Sequence, residues 1–205
     1  MPLKLLTTPV GPWEMNTYVV IDEDTQTSAI VDPGGDPEKI LALAAGTKAD
    51  KILITHGHDD HVLALEDLQE ATNALAYLHP LDAAQFELSY DVPLEGGETL
   101  SVGNLKIKVI HTPGHTPGQC CFDLGDGRIL VGDTVFVGGP GRTDSPEDFA
   151  VTMQTMQTIV FSWPDETEFF PGHGPSGKIG VERPAFERFL DRGWPEDTHG
   201  DVTWD

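Results

Sequence analysis

The segment Thr55-His56-Gly57-His58-Asp59-Asp60-His61 concentrates side chains that bind metal ions. It carries three imidazoles and two carboxylates within seven residues, and it directly follows residues 51–54, whose apolar pattern is typical of a buried strand. Imidazole nitrogens and carboxylate oxygens bind zinc at about 2.0–2.2 Å. Alternation along a tight loop sends the first two histidines towards one point, and Asp60 with the last histidine towards a neighbouring point. The stretch therefore predicts a two-metal site.

Three further candidate ligands lie downstream, each at the end of an apolar run and beside a glycine: His115, Asp133 and His173. Glycine and proline at such positions fix the backbone turn and remove bulk, so that a side chain can reach an ion at the edge of a sheet. A single histidine after a strand is more often a hydrogen-bonded structural residue. Four strand-then-loop sites in series are much harder to explain as scaffold.

The H-x-H-x-D-H loop, followed by a His, an Asp and a His in this order, resembles the metallo-β-lactamase fold superfamily. The resemblance runs from the strand end at 30–34 to the segment 171–175. Within the superfamily, segments 132–136 and 141–144 are most similar to small glyoxalase II-like (hydroxyacylglutathione hydrolase-like) enzymes. The resemblance implies an α/β fold, a four-layer αββα sandwich, with all of the ligands in loops along one edge.

The resemblance also implies how seven ligands divide between two sites that share one carboxylate: His56, His58 and His115 in site one, Asp60, His61 and His173 in site two, and Asp133 in both. Nitrogen and oxygen donors suit zinc, iron and manganese alike. We expect two divalent cations, zinc first, with iron or manganese as alternatives.

Two metals held about 3.5–4 Å apart predict a hydrolase. A water that two cations share loses its proton near neutral pH, so a metal-bridging hydroxide would attack an ester or thioester carbonyl without a serine or cysteine nucleophile. Site one would stabilise the oxyanion. Asp60 and Asp133 are the candidate catalytic carboxylates, which hold the nucleophile, and Asp133 is also a candidate proton acceptor. We expect a dinuclear, glyoxalase II-like thioesterase for a substrate of the S-lactoylglutathione kind.

Other activities remain open at this stage. One alternative is a persulfide dioxygenase that resembles the same subfamily and uses a single iron held by ligands such as His56, His115 and Asp133. Another is an ester, lactone or β-lactam hydrolase of the same superfamily. A non-catalytic metal-bound interaction protein is disfavoured because no ligand of the motif is missing. The number of bound metals separates the two-metal thioesterase from the single-iron dioxygenase.

Arg142 is the candidate substrate-binding residue, because by the resemblance it stands where glyoxalase II has a lysine. Its guanidinium could hold a carboxylate in a bidentate fork. The aromatic residues that those enzymes carry nearby are replaced here by Asp144 and Pro175. We also expect the protein to lack most of their helical C-terminal extension, which helps to hold glutathione. We expect a small anionic thioester, and leave open whether glutathione is bound. Alternatively, Arg142 pairs with Asp144 and holds its own loop.

Five polar residues near the motifs receive structural interpretations. Asp32 and His111 are expected to support the ligand loops from behind by hydrogen bonds rather than to bind metal. Asp59 is expected to orient a ligand imidazole. His79, beside a proline, and His199, in an acidic tail, are interpreted as surface residues.

We expect one domain, 1–205, because no linker divides the sequence. We expect it in the cytoplasm, because the sequence shows no signal-peptide layout and no apolar run long enough to span a membrane. The adjacent Cys120 and Cys121 are read as reduced packing residues. A net charge of −22 argues against nucleic acid as a partner and is consistent with adaptation to salt. The scarce cations cluster late in the chain and could form a basic patch: Arg142, Lys178, Arg183, Arg188 and Arg192. The oligomeric state is left open.

Local patterns also predict the secondary structure. Strands are expected at 3–8, 17–21, 28–31, 75–78, 100–102, 105–110, 120–124, 129–131 and 167–170. Helices are expected at 37–45, 62–74, 81–88, 146–160 and 184–192. The apolar stripe of the fourth helix (Phe149, Met153, Met156 and Val160) is interpreted as core.

Overall fold

The computed structural model describes residues 2–205, and two six-stranded sheets form its centre. Met1, the first residue of the predicted domain, lies outside the described residues. The first sheet contains β1 (Leu3–Val10), β2 (Met15–Asp22), β3 (Thr27–Val31), β4 (Lys48–Leu53), β5 (Leu75–Leu78) and β6 (Val92–Pro93), which pair in that order.

The second sheet is formed by the C-terminal half of the chain. Its strands are β7 (Thr99–Val102), β8 (Leu105–His111), β9 (Cys120–Asp123), β10 (Arg128–Gly132), β13 (Glu168–Pro171) and β14 (Gly177–Lys178). They lie in the order β14-β13-β10-β9-β8-β7. A separate two-stranded hairpin, β11 (Val135–Phe136) with β12 (Gly139–Pro140), follows the second sheet's central strand β10.

Helices cover the outer faces of both sheets. They are α1 (Pro37–Leu43), α2 (Asp59–Val62), α3 (Leu65–Thr72), α4 (Pro80–Gln85), α5 (Pro146–Thr158) and α6 (Ile179–Arg192), with a 3₁₀ turn at Val160–Ser162. The predicted four-layer αββα sandwich is confirmed. In the part of the chain that the structure describes, no helix is long and apolar enough to cross a bilayer.

The hydrophobic core has three layers, one between the sheets and one under each set of helices. The central layer joins residues of both sheets, such as Leu53, Val109 and Phe122. The alternating burial along β8 shows why: every second side chain of this strand enters the layer. The predicted apolar stripe of α5 lies in the outer layer on the second sheet, together with the buried and reduced Cys121. Burial raises the pKa of this thiol to about 11.

Parallel pairing explains why the ligand loops meet. Strands β3, β4 and β5 run parallel to one another, as do β10 and β13, so their carboxyl ends lie at the same edge of each sheet. Asp32 directly follows β3, the H-x-H-x-D-H loop follows β4, and Asp133 and His173 follow β10 and β13. The fold therefore delivers residues that are far apart in sequence to one rim.

Two helices differ from the sequence-based expectation. The predicted helix at 62–74 is broken, because the amide of Ala64 donates to the carbonyl of Pro33 (2.9 Å), and α2 ends before α3 begins. The last helix begins at Ile179 and not at Pro184, which lies inside it. A proline there removes one intrahelical hydrogen bond, but the buried Ile179 and Phe186 on either side anchor both turns in the core.

Candidate metal centre

The six histidines and aspartates of the two predicted sites converge at the rim with Asp133 between them. Ligand atoms within 4.8 Å of one another form three groups: His56, His58 and His115; His56, His61 and Asp133; and Asp60, His61 and His173. The first and third groups are the two predicted sites. His61 and Asp133 share the second group, so the carboxylate lies where the sequence places the bridge.

In the first group, three imidazole nitrogens form a nearly equilateral triangle. Nε2 of His56 lies 3.0 Å from Nδ1 of His58 and 3.2 Å from Nε2 of His115, and the third edge is 3.0 Å. Two nitrogens bound tetrahedrally to one cation at 2.0–2.1 Å stand about 3.3 Å apart. The triangle therefore has the dimensions of a three-histidine metal site.

The backbone fixes the tautomer of His115. Its Nδ1 lies 2.7 Å from the carbonyl oxygen of Arg142, which can only accept, so Nδ1 donates. In the neutral ring, Nε2 then carries a lone pair directed at the triangle. A hydrogen bond on the far nitrogen is the usual way in which proteins orient a metal-binding imidazole.

The third group surrounds a carboxylate. Nε2 of His173 lies 2.9 Å from Oδ2 of Asp60, and Nε2 of His61 lies 3.9 Å from the same oxygen. Asp133 approaches both groups: Oδ1 is 3.4 Å from Nε2 of His61, and Oδ2 is 3.7 Å from Nε2 of His115 and 3.8 Å from Nε2 of His173. One carboxylate thus stands between two sets of imidazoles.

These residues fit divalent cations. Nε2 of His61 and Oδ1 of Asp133 are buried and have no hydrogen-bond partner among residues 2–205. A buried polar group without a partner costs about 1–3 kcal/mol. A cation at each group would contact these atoms and use the lone pairs that converge on it. The donor set of nitrogen and carboxylate oxygen suits zinc, iron or manganese.

The charges of the cluster are strongly coupled. Burial raises the pKa of Asp133, but the neighbouring imidazoles of His61, His115 and His173 outweigh it and lower this pKa to about 2. Burial and the surrounding imidazoles lower the pKa of His56 well below its usual range. Burial has the same direction for His61, but the carboxylates of Asp133 and Asp32 raise its pKa well above the usual value.

Glycine allows the close approach of the two groups. A methyl group at Gly172 would lie 2.4 Å from Oδ1 of Asp133 and 2.5 Å from Cε1 of His61. Both distances are too short for real carbon contacts, so a side chain here would push the ligands apart. This agrees with the expectation that glycine next to a ligand makes room at the sheet edge.

Asp32 supports the cluster from behind, as the sequence predicts. Its carboxylate accepts from the amide and the hydroxyl of Thr55, both at 2.7 Å, and Oδ2 lies 3.0 Å from Nδ1 of His61. The residue adopts a left-handed backbone conformation (φ 53°) at the end of β3. It therefore connects two neighbouring strand ends and faces the imidazole of His61 from the side opposite the metal groups.

The remaining structural interpretations have mixed outcomes. His111 contacts the carbonyl of Pro117 (2.8 Å) and so supports the loop of His115, but it touches no ligand. His79 was expected on the surface; this is wrong, because it is buried, accepts from the amide of Leu81 as the cap of α4, and stacks on His111. His199 is exposed as expected.

Asp59 is exposed beside the cluster, and nothing in the described structure shows it orienting an imidazole. The basic patch that the sequence predicts is largely neutralised by ion pairs. Arg142 pairs with Asp144, Lys178 with Glu168 (3.1 Å) and Arg183 with Asp165 (2.7 Å). The Arg142 pair matches the alternative in which this arginine holds its own loop, although both side chains are more than half exposed and open to competition from a ligand.

Sequence reasoning missed several residues that hold the ligand loops. The buried Asp82 accepts hydrogen bonds from the loops of His58 and of His115. Asn16, on β2, donates through its side chain to the carbonyl of Gly174 (2.9 Å), and the hydroxyl of Tyr18 donates to Pro171 (2.7 Å). These contacts join segments more than a hundred residues apart, or join α4 to loops that follow two different strands. No local sequence pattern predicts them.

Two grooves open onto the cluster. One, of about 320 Å³, is lined by Trp13, His58, Asp59, Asp60 and Phe86. The other, of about 340 Å³, reaches His115, Asp133 and Arg142 between the β11–β12 hairpin and residues 201–203. The first has aromatic walls, with Trp13 58% exposed. The second has a cation at its rim.

Several known proteins are similar to this chain in sequence and architecture. The family model of the metallo-beta-lactamase superfamily matches residues 10–178. Hydroxyacylglutathione hydrolase GloC of Haemophilus influenzae is 31% identical over 199 residues, which cover 85% of this chain and 92% of that protein. A probable polyketide biosynthesis zinc-dependent hydrolase, BaeB of Bacillus velezensis, is 34% identical over 176 residues, covering 82% and 76%. The crystal structure of TTHA1623 in a di-iron-bound form superposes with a TM-score of 0.71 at 34% identity, covering 87% and 96%.

Proposed function

Since the chain belongs to the metallo-beta-lactamase superfamily, we propose that it is a two-metal hydrolase that cleaves thioesters of the S-lactoylglutathione kind. The observation that carries the proposal is the pair of donor groups with one carboxylate between them. A site for one metal needs only one of the groups. The third group, Asp60, His61 and His173, supports a second cation.

When bound, two cations lower the pKa of a water and polarise a carbonyl oxygen, which is the chemistry that thioester hydrolysis requires. The residues of the chain would hold the cations in place for this chemistry. Asp133 is ionised at neutral pH and faces both groups, so it would hold the two cations at a fixed spacing. Both of its oxygens face the donor groups and would be engaged by the cations, so we assign Asp133 to positioning rather than to base catalysis.

Asp60 is placed differently from Asp133. It lies on the wall of the aromatic groove with 23% of its side chain exposed, so its carboxylate is accessible from the groove. In the net reaction, the oxygen of water forms a bond to the carbonyl carbon, one proton of that water passes to Asp60 and on to solvent, and the carbon–sulfur bond breaks. The thiolate leaves and is protonated by solvent. A thiolate is a good leaving group, so no protein acid is required opposite the cluster.

The two grooves give the substrate a direction. A thioester has two halves joined at the reacting carbonyl, and each groove is lined by ligands of the cluster, beside which that carbonyl would lie. The groove of Trp13 and Phe86 offers aromatic surface and an exposed carboxylate, Asp59, so it would take a neutral, apolar half. The groove of Arg142 would take the anionic half. The carboxylate of that half would compete with Asp144 for the guanidinium of Arg142.

Metal analysis combined with a thiol-release assay tests the proposal. The protein as isolated should hold about two equivalents of zinc, iron or manganese and should release thiol from S-lactoylglutathione or from a simpler anionic thioester. Chelation should abolish turnover, and added metal should restore it. The His173→Ala variant should retain about one equivalent and turn over slowly, because only site one remains.

The competing activity gives a different pattern. A single iron, oxygen uptake with a persulfide and no thiol release would favour the dioxygenase reading, and the iron content would then survive His173→Ala. Two full equivalents in His173→Ala would remove His173 from the ligand set. Metal content without turnover of any thioester would leave a superfamily hydrolase of another ester or lactone.

A further inference from the structure

We propose that Asp82 is a positioning residue that sets the geometry of site one, by cross-linking the two loops from which its histidines come. The inference rests on the metal centre of the proposed function. Asp82 lies in α4, outside every motif of the ligand set, and its side chain is fully buried. It touches no ligand atom, so it would act through the backbone on which the ligands stand.

Three hydrogen bonds carry the argument. Oδ2 of Asp82 accepts from the amide of Gly57 (2.9 Å) and from the hydroxyl of Thr116 (2.7 Å), and Oδ1 accepts from the amide of Gly118 (2.5 Å). Gly57 stands between His56 and His58, and Thr116 directly follows His115. One carboxylate therefore binds both loops next to all three ligands of site one.

The chemistry explains why an aspartate occupies this position. Three donors converge on the side chain, and an ionised carboxylate is an acceptor at every lone pair. An asparagine would direct its own N–H group at one of these donors and leave it unpaired. The approach is also very close: a methyl group at Gly118 would lie 2.6 Å from Oδ1 of Asp82, so glycine is needed there.

Asp82 is itself held rigidly. His79 caps the first turn of α4, and the stack of His79 on His111 (ring centroids 4.4 Å apart) ties that turn to the end of β8. At the other end of the helix, Phe86 packs edge-on against the ring of His58 (5.0 Å). The helix thus transmits a fixed position from the core to the triangle of imidazoles.

The cross-link is specific to site one. The ligands of site two are supported by other residues, since Asp32 faces His61, and Asn16 holds the loop of His173. Loss of the Asp82 carboxylate should therefore weaken one metal site and spare the other. A residue that served only general stability would lower the free energy of unfolding without this selectivity.

The experiment measures zinc and cobalt affinity, by competition with a chelating indicator, in two backgrounds of the full-length chain. His173→Ala leaves only site one, and His58→Ala leaves only site two. Adding Asp82→Asn should raise the site-one dissociation constant by about 10- to 100-fold, the usual effect of removing a residue that orients metal ligands. It should leave the site-two constant unchanged. The visible spectrum of cobalt at site one should shift as well.

Asp22→Asn is the matched control. Asp22 is also fully buried, and it accepts hydrogen bonds from Thr25 (2.7 Å) and from the amide of Asn104 (2.6 Å), but it ends β2 far from the rim. It should lose thermal stability with no change at either site. Thr116→Val, which removes one of the three donors, is the milder second variant if Asp82→Asn does not fold, and it should weaken site one less.

The outcomes separate two failures. If Asp82→Asn, or Thr116→Val in its place, keeps the parental site-one affinity while the apo protein loses stability as Asp22→Asn does, then Asp82 is a structural brace and the inference is overturned. If the wild-type chain binds neither zinc nor cobalt tightly, the proposed function fails instead.

Discussion

Asp133 is the residue on which both halves of the metal centre depend, because its carboxylate approaches His115 of site one as well as His61 and His173 of site two. We expect Asp133→Asn to lower the metal content of both sites and to reduce turnover far more than His61→Ala, which leaves site one whole. Loss of a neighbour that only orients a ligand already weakens metal affinity by about 10- to 100-fold. Loss of this shared ligand should therefore weaken each site by at least about 10-fold. Asp67→Asn, on the exposed face of α3, should change nothing. Two retained metals with near-normal turnover in Asp133→Asn would disprove the bridging role.

Arg142 has two candidate roles, binding the substrate or holding its own loop. The structure pairs it with Asp144 at the rim of one groove. If the guanidinium also receives the substrate, Arg142→Ala should raise KM for an anionic thioester by about ten- to a hundred-fold, the equivalent of a lost charge-assisted contact of about 1.5–3 kcal/mol. A neutral thioester should be unaffected. Asp144→Ala is the control, because it frees the arginine and should not raise KM. Equal impairment with both substrates would assign Arg142 to holding its loop.

At the scale of elements, the turn between β1 and β2 carries Trp13 over the aromatic groove. The turn is seated on the rim, where the amide of Gly11 donates to Asp36 (3.2 Å). Trp13→Ala should lower kcat/KM about tenfold for thioesters with a bulky apolar acyl group, since partial burial of a large side chain contributes about 1.5 kcal/mol. An acetyl thioester should be affected much less, and metal content should stay the same.

Tyr90→Ala removes an exposed aromatic residue outside both grooves and serves as the matched control for Trp13. It should leave both substrates unaffected. Equal losses with bulky and small acyl groups in Trp13→Ala would mean that the turn only supports the rim. The apolar half of the substrate would then have to bind elsewhere.

Some features of this fold could be predicted from the sequence, and others could not. The strand before His56 and the glycine beside His173 are local signals, and they marked the candidate ligands. The sandwich and the division of the ligands between two sites were predicted from the resemblance that the whole series of motifs carries. His79 was misjudged because a proline beside a histidine also suits a surface turn. Asp82 gave no signal at all, because its three donors come from two distant loops. The start of α6 was misplaced because a proline is usually found at the first turn of a helix, and tertiary burial overrode that preference.

The whole molecule carries thirty-four acidic groups against twelve basic ones, so the folded chain repels itself. Several of the cations are already committed to local pairs, such as Lys39 with Asp36 and Arg128 with Asp126. Sodium chloride screens the remaining repulsion, because the Debye length falls from about 10 Å at 0.1 M to about 3 Å at 1 M. We therefore expect the Tm of the protein to rise by several degrees over this range.

A variant of α3 tests the cause of this salt dependence. Glu66, Asp67 and Glu70 are exposed on one helix, and replacing them with Gln, Asn and Gln removes three negative charges without touching the core. At low salt this variant should have a higher Tm than the wild-type chain, and its gain between 0.1 and 1 M salt should be smaller; for a chain of this size, 1 kcal/mol corresponds to about 2–4 °C. Metal content should be equal in both proteins, which separates screening of surface charge from any effect of salt on the metal centre. A Tm that is flat or falls as sodium chloride increases would show that local ion pairs, and not the net charge, dominate the electrostatics of this fold.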